Sequence, residues 1–252
     1  MSETPFFLST APIVEAVIDI DCDLPPGLDV EALDAAGKAA FGNHYPRAQR
    51  RMLQAHQVMV LPGQSPTISS QQGWQANQYL TEDGKQLVQV RPNGFSFNRL
   101  APYTNLDDYL PEIERTWQIF VGIAQPIVCR MVRMRYINRI ALPMEGGRVD
   151  LDRFLASPPR PVDEQRLQLT GFFEQHTLIE AATGHQAIVV RTAQPVNAEQ
   201  LPVILDITVT ATGDVEPSDW TAISGKIAQL RDLKNLIFRK GLTEQCLQLF
   251  HP

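Results

Sequence analysis

Four arginines fall within eleven residues, RMVRMRYINRI, at 130–140. In an extended chain, side chains alternate between two faces. Val132, Met134, Tyr136 and Ile140 then share one face, and Arg133, Arg135, Ile137 and Arg139 the other. Guanidinium forks bind carboxylates and phosphates in bidentate fashion, so an uncompensated pair such as Arg133 and Arg135 could hold an anionic, nucleotide-like small molecule. A second segment, APIVEAVIDIDC at 11–22, divides in the same way. Its apolar face carries Val14, Ala16, Ile18 and Ile20; its other face carries Glu15, Val17, Asp19 and Asp21. If the two segments are neighbours, the acidic row of Glu15, Asp19, Asp21 and Asp23 answers the arginine row, at roughly 0.2–1 kcal/mol per directly opposed pair. A third reading has Asp19, Asp21 and Asp23 offering hard oxygens to a divalent cation. These readings stand side by side. The candidate ligand-binding set is Glu15, Arg133, Arg135, Tyr136, Asn138 and Arg139.

Other chemistry finds little footing. No phosphate-cradling glycine loop, GxSxG elbow or HExxH motif is present. The five histidines lie apart, and none stands at zinc-site spacing from a cysteine. A Cys–His nucleophile pair need not be close in sequence, but nothing favours one. No catalytic residue is assigned, no cofactor or metal is implied, and whether the chain is an enzyme stays open.

The elements that must position these residues are legible from periodicity. The strand at 12–23 stops at Pro25-Pro26-Gly27, and Asp29 is the expected N-cap of a helix over VEALDAAGKAAF. Strands are expected at 50–61, 73–83 and 85–100, with Asp83-Gly84 as the turn between the last two. A Pro-, Ser- and Gln-rich stretch at 62–72 reads as a loop. Leu106, Leu110, Ile113, Trp117, Phe120 and Ala124 recur at helical spacing, and Pro111 places the helix start near Asp107 or Asp108. From residue 129 the order begins again: the arginine strand, a short helical piece at 150–157, strands at 168–181, 186–194 and 201–212, and a long helix after Pro217. That helix has an apolar stripe of Trp220, Ile223, Ile227, Leu230, Leu233 and Ile237, and Gly241 stands where a C′ glycine belongs. A last short helix follows at 242–250. Trp117 and Trp220 suit core packing, whereas Trp74, beside the loop, could face an interface.

The predicted architecture is therefore α+β. Two pseudo-repeats, each strand, helix, three strands and long helix, occupy 1–128 and 129–252 as one compact unit. They share a curved antiparallel sheet with helices on one face, like the saddle of TATA-binding-protein-like folds.

Composition limits the function. The 252 residues are 44% hydrophobic and carry a net charge of −6, which makes no bulk electrostatic case for nucleic acid. No apolar run is long enough to span a membrane, and no basic n-region of a signal peptide opens the chain. Cys22, Cys129 and Cys246 are odd in number and far apart in sequence, which argues against a disulfide framework and for a cytoplasmic setting.

The stretches APIVEAVIDI, RMRYINRI and LRDLKNLIFRKGLT together resemble a family of about this length, sporadically distributed across bacterial genomes. Pro12, Glu15, Ala16, Arg135, Tyr136, Asn138, Arg139, Phe238 and Thr243 are the positions that match it. The resemblance implies carriage on mobile or defence-related loci, but no activity, substrate or cofactor. The sequence departs from the family pattern at Arg231, where a histidine follows the leucine, which puts any activity dependent on that histidine in doubt here. The leading expectation is a non-enzymatic binding protein that acts as a homodimer or with a protein partner. The alternative is an enzyme or sensor for an anionic small molecule at the arginine strand.

Overall fold

The computed structural model describes residues 8–59, 67–160, 169–196 and 199–251; side chains are described outside 55–72. Nine strands form one sheet in the order β2-β3-β4-β5-β1-β6-β9-β8-β7, antiparallel throughout. The strands are β1 Ile13–Asp23, β2 Arg47–Met59, β3 Thr67–Leu80, β4 Gln86–Arg91, β5 Gly94–Leu100, β6 Val128–Pro143, β7 Phe173–Ile179, β8 Gln186–Ala193 and β9 Gln200–Val215. The helices are α1 Val30–Phe41, α2 Leu106–Ala124, α3 Trp220–Gly241 and α4 Glu244–Gln248. The fold is α+β, and the chain reads into it mainly through apolar alternation.

β1 and β6 are neighbours at the centre of the sheet, with Asp19 opposite Arg133 and Val17 opposite Arg135. Ile18, Ile20, Val132 and Met134 point to one side, where they share a core with Trp117 and Phe120 of α2 and Ile223, Ile227 and Leu230 of α3. The charged residues of both strands therefore lie on the face opposite the helices. The two halves of the chain meet along this seam in a single sheet.

Several expected boundaries move. The single strand expected over 85–100 is two, because the chain reverses at Pro92-Asn93 and pairs Arg91 with Gly94. Gly94 has φ +135°, and a Cβ there would meet the Ile20 carbonyl oxygen at 2.1 Å, so only glycine permits the close return. The N-terminal half consequently has four strands after α1. Residues 67–72 are strand rather than loop, because main-chain pairing with β2 continues past the polar side chains; the rest of the expected loop lies outside the described residues.

α2 begins at Leu106 under an Asn105 cap, which puts Pro111 in the second turn. There it lies on the exposed side, where water can serve the carbonyl it leaves unbonded. Helical structure at 150–157 contracts to a 3₁₀ turn, Leu151–Arg153. Gly241 is the last helical residue rather than C′. The chain leaves through an extended Leu242 that bridges to Leu155, and Ala156 N–H donates to the Gly241 carbonyl, so no left-handed glycine is needed. Trp117 is fully buried and its indole donates to the Pro217 carbonyl at 3.0 Å. Trp74 packs against the core and donates to Asn77 Oδ1 at 3.1 Å.

Candidate functional site

Alternation along β6 divides the predicted site between two faces. Glu15, Arg133, Arg135 and Arg139 lie on the helix-free face; Tyr136 and Asn138 lie beneath the helices and are buried.

On the helix-free face the guanidinium groups are already engaged. Arg133 approaches Asp19 and Asp21 at 3.6 and 3.5 Å, and Arg91 of β4 contacts the same two carboxylates at 3.7 and 2.7 Å. Ser96 donates to Asp19 at 2.5 Å. Arg130 bridges Asp23 and Asp214 at 2.5 and 2.7 Å. Arg135 turns away from β1 and forks onto Asp206 of β9 at 2.6 and 3.0 Å, because the register places Val17, not an acid, opposite it. Arg139 reaches Gln194 Oε1 at 3.4 Å. The three aspartates proposed for a cation are thus occupied by arginines, and among the described residues no cluster of three or more His, Cys, Asp or Glu could hold a metal ion.

Glu15 ends a chain of side-chain amides that crosses five strands. Gln49 donates to Gln78 at 2.8 Å, Gln78 to Gln89 at 2.7 Å, Gln89 to Asn98 at 2.9 Å, and Asn98 to Glu15 Oε1 at 2.8 Å. A carboxylate can only accept, so Glu15 sets the donor direction of every amide behind it. Arg133 and Arg135 are thus compensated by carboxylates and form no free cation pair on this face.

Beneath the helices the situation differs. A cavity of about 870 Å³ lies between the start of β1, the entry to α2, β6 and one face of α3. Pro12, Tyr136, Asn138, Arg231 and Phe238 are among the residues that line it. Asn138 donates to the Leu205 carbonyl at 2.9 Å, which locks it against β9. The Tyr103 and Tyr136 hydroxyls are 2.7 Å apart with their rings edge to face, and Tyr109 stacks at a tilt on Tyr103. Burial pushes the Tyr136 phenol up to about 12 and Tyr103 higher, so both stay protonated hydrogen-bonding groups.

Three cationic side chains, Arg231, Lys234 and Arg239, and three carboxylates, Asp107, Asp108 and Asp232, line the cavity. Arg231 pairs with Asp107 at 2.6 Å, and Asp108 takes the Asn105 amide at 2.7 Å within the α2 cap. Those two carboxylates already complement the N-terminal end of α2. Lys234 stands apart. Its Nζ lies 4.2 Å from the centroid of the Tyr136 ring, and among the described residues no carboxylate pairs with it. Burial first, and the Arg231 charge second, lower its pKa to about 8.

Of the predicted residues, only Tyr136 and Asn138 belong to this cavity. Lys234 lies outside the candidate set read from the sequence and Arg231 enters there only as a departure from a resemblance, although the sequence carries a signal: Arg231, Lys234, Asn235 and Phe238 recur at helical spacing beside the apolar stripe.

No protein-family model matches the chain, and no curated protein matches it.

Proposed function

We propose that this chain is a binding protein whose ligand is a small organic anion with an apolar or aromatic body, seated in the cavity between α2, β6 and α3. One observation carries the reading. Lys234 is a half-buried ammonium held over the face of Tyr136 with no carboxylate paired to it among the described residues, in a cavity large enough for a metabolite-sized molecule. Desolvating an unpaired charge is costly, and a ring face offsets only about 0.5–2 kcal/mol of that cost. A ligand carboxylate or phosphate supplies the missing partner. The tyrosine cluster and Leu106 supply the apolar wall. This reading seats the anion on the side of β6 opposite to the arginine row, which the alternative read from the sequence considers for it.

Thermal shift and calorimetry with inorganic phosphate, benzoate, AMP and an indole carboxylate test this. The expected result is a stabilisation by at least one anion bearing a ring that exceeds the effect of phosphate alone, about 2.7 kcal/mol at 100 times its Kd, and that is lost in Lys234→Met. If wild type and Lys234→Met respond alike to every compound, the reading falls.

The internal duplication is part of the same proposal. The sheet order runs outward from the β1–β6 seam to β5 and β4 on one side and β9 and β8 on the other, which supports two related halves wrapped as a saddle around a pseudo-twofold axis. The cytoplasmic setting is likewise our reading, supported by three buried free cysteines.

A further inference from the structure

The two edges of the nine-stranded sheet are unlike. β2 exposes Arg47, Arg50 and Arg51, the kind of charged edge that resists addition of another strand. β7, with the sequence FEQHTLI, carries no lysine, arginine or proline, and among the described residues no strand pairs with its outer side. Its apolar side chains are open: Phe173 is 68% exposed and Ile179 69%, with Ile188 of β8 beside them on the helix-free face.

We propose that β7 pairs with β7 of a second copy of this chain, antiparallel about a twofold axis through His176, so that two sheets become one. The parity of the main chain fits. Phe172 O accepts from Ala193 N–H and Glu180 N–H donates to His185 O, so even-numbered residues turn their hydrogen-bonding groups toward β8. Phe173, Gln175, Thr177 and Ile179 therefore turn theirs outward. Pairing about His176 places Phe173 opposite Ile179 of the second copy and Gln175 opposite Thr177. Each of these is a hydrogen-bonded pair that exchanges two main-chain bonds. This register uses the whole strand, and both copies of the Phe173–Ile179 contact fall on one face.

The choice of a second copy over another partner rests on charge and symmetry. Glu174 is bound to Arg191 at 2.8 Å and falls opposite Leu178, so self-pairing sets no carboxylate against a carboxylate, and His176 meets its own copy at the axis. Addition of β7 to β2 of another copy would set this apolar strand against an arginine edge, and being heterologous it would run on as an open filament.

The test is sedimentation velocity and light scattering on the full chain across a wide concentration range, with thermal melts confirming that each variant folds. The wild type is expected as a dimer of the 28.2 kDa chain. Phe173→Lys with Ile179→Lys places like charges opposite each other at both ends and should weaken the dimer on the order of tenfold or more. Phe173→Lys with Ile179→Glu restores opposite charges in the same register and should recover it. A wild type that stays monomeric, a dimer indifferent to the double-lysine change, failure of the lysine–glutamate pair to recover it, or growth into filaments would each overturn the proposal. Anion binding plays no part in this experiment, so its outcome is separate from that of the cavity.

Discussion

Lys234 shows how a single residue is read differently once its neighbours are known. Its pKa of about 8 lies below the ordinary lysine range, so the native state holds the proton less tightly than the unfolded chain does. The destabilisation is therefore fully present below pH 8. It is relieved as pH rises from there toward the unfolded value, where the unfolded state binds more protons. Lys234→Met should accordingly stabilise the ligand-free protein at pH 7 by about 1–3 kcal/mol, with the advantage vanishing near pH 10.5. Denaturant melts of the two proteins at both pH values check this. The bound anion needs the protonated amine, so its affinity should fall above pH 8, by up to about tenfold per pH unit, in calorimetric titrations. Cys22 and Cys129 give a second residue-scale case. Though 107 residues apart in sequence, their sulfurs are 3.6 Å apart across the β1–β6 seam. The bond to Cys129 and burial both raise the Cys22 thiol. Since the thiolate is the reactive form, Cys22 should not be alkylated by iodoacetamide at pH 8 until the protein unfolds, and Cys129, 1% exposed, should be shielded by burial alone, as mass spectrometry of intact protein would show.

Within the strands, the amide chain from Gln49 to Glu15 behaves as one unit with a direction. Glu15→Leu leaves the Asn98 amide donor, on a residue 5% exposed, without its acceptor; the expected cost is about 1–3 kcal/mol. Glu15→Gln keeps an acceptor and should cost less than half as much in the same chemical denaturation series. The arginine strand makes a related point. Arg135 is 47% exposed, whereas its partner Asp206 is 15% exposed. Arg135→Ala thus strands a largely covered carboxylate and should cost about 1–2 kcal/mol. Arg139→Ala, which removes only a 3.4 Å contact to Gln194, should stay within about 0.5 kcal/mol. Equal effects at the two sites would show that the Asp206 pair adds nothing.

For the whole molecule, the decisive feature is the continuity of the sheet. β1 belongs to the first half and β6 to the second, yet they share a ladder running from Ile13–Asn138 to Asp23–Val128. Helices of both halves close over it in one core. Neither half can unfold without exposing the other's central strand. A single transition is expected, with far-UV and near-UV circular dichroism melting together; separate transitions for the halves would contradict this. No helix among the described residues is long and apolar enough to cross a membrane; α2 and α3 bury their apolar stripes in the core shared with the sheet.

Alternation of side chains was enough to determine which face of β1 and of β6 is apolar, and hence that their charged rows share a face once the strands pair. Helical spacing located α1, α2 and α3, because a 3.6-residue stripe is a local property of the chain. The turn at Pro92-Asn93-Gly94 escaped that reading because its glycine is dictated by the approach of Ile20 from another strand. The site escaped it for the same reason. Arg133, Arg135 and Arg139 have the residue type of an anion site, but whether a charge is free depends on what lies across the sheet, and there Asp19, Asp21, Asp206 and Gln194 engage them, as Asn98 engages Glu15. Lys234 is an ordinary lysine on a helix with a basic C-terminal end until folding sets it against Tyr136 with no carboxylate paired to it among the described residues. Local periodicity fixes where a side chain points; only the tertiary structure decides which charges find a partner, because the desolvation and pairing that give a charge its energy come from residues distant in sequence.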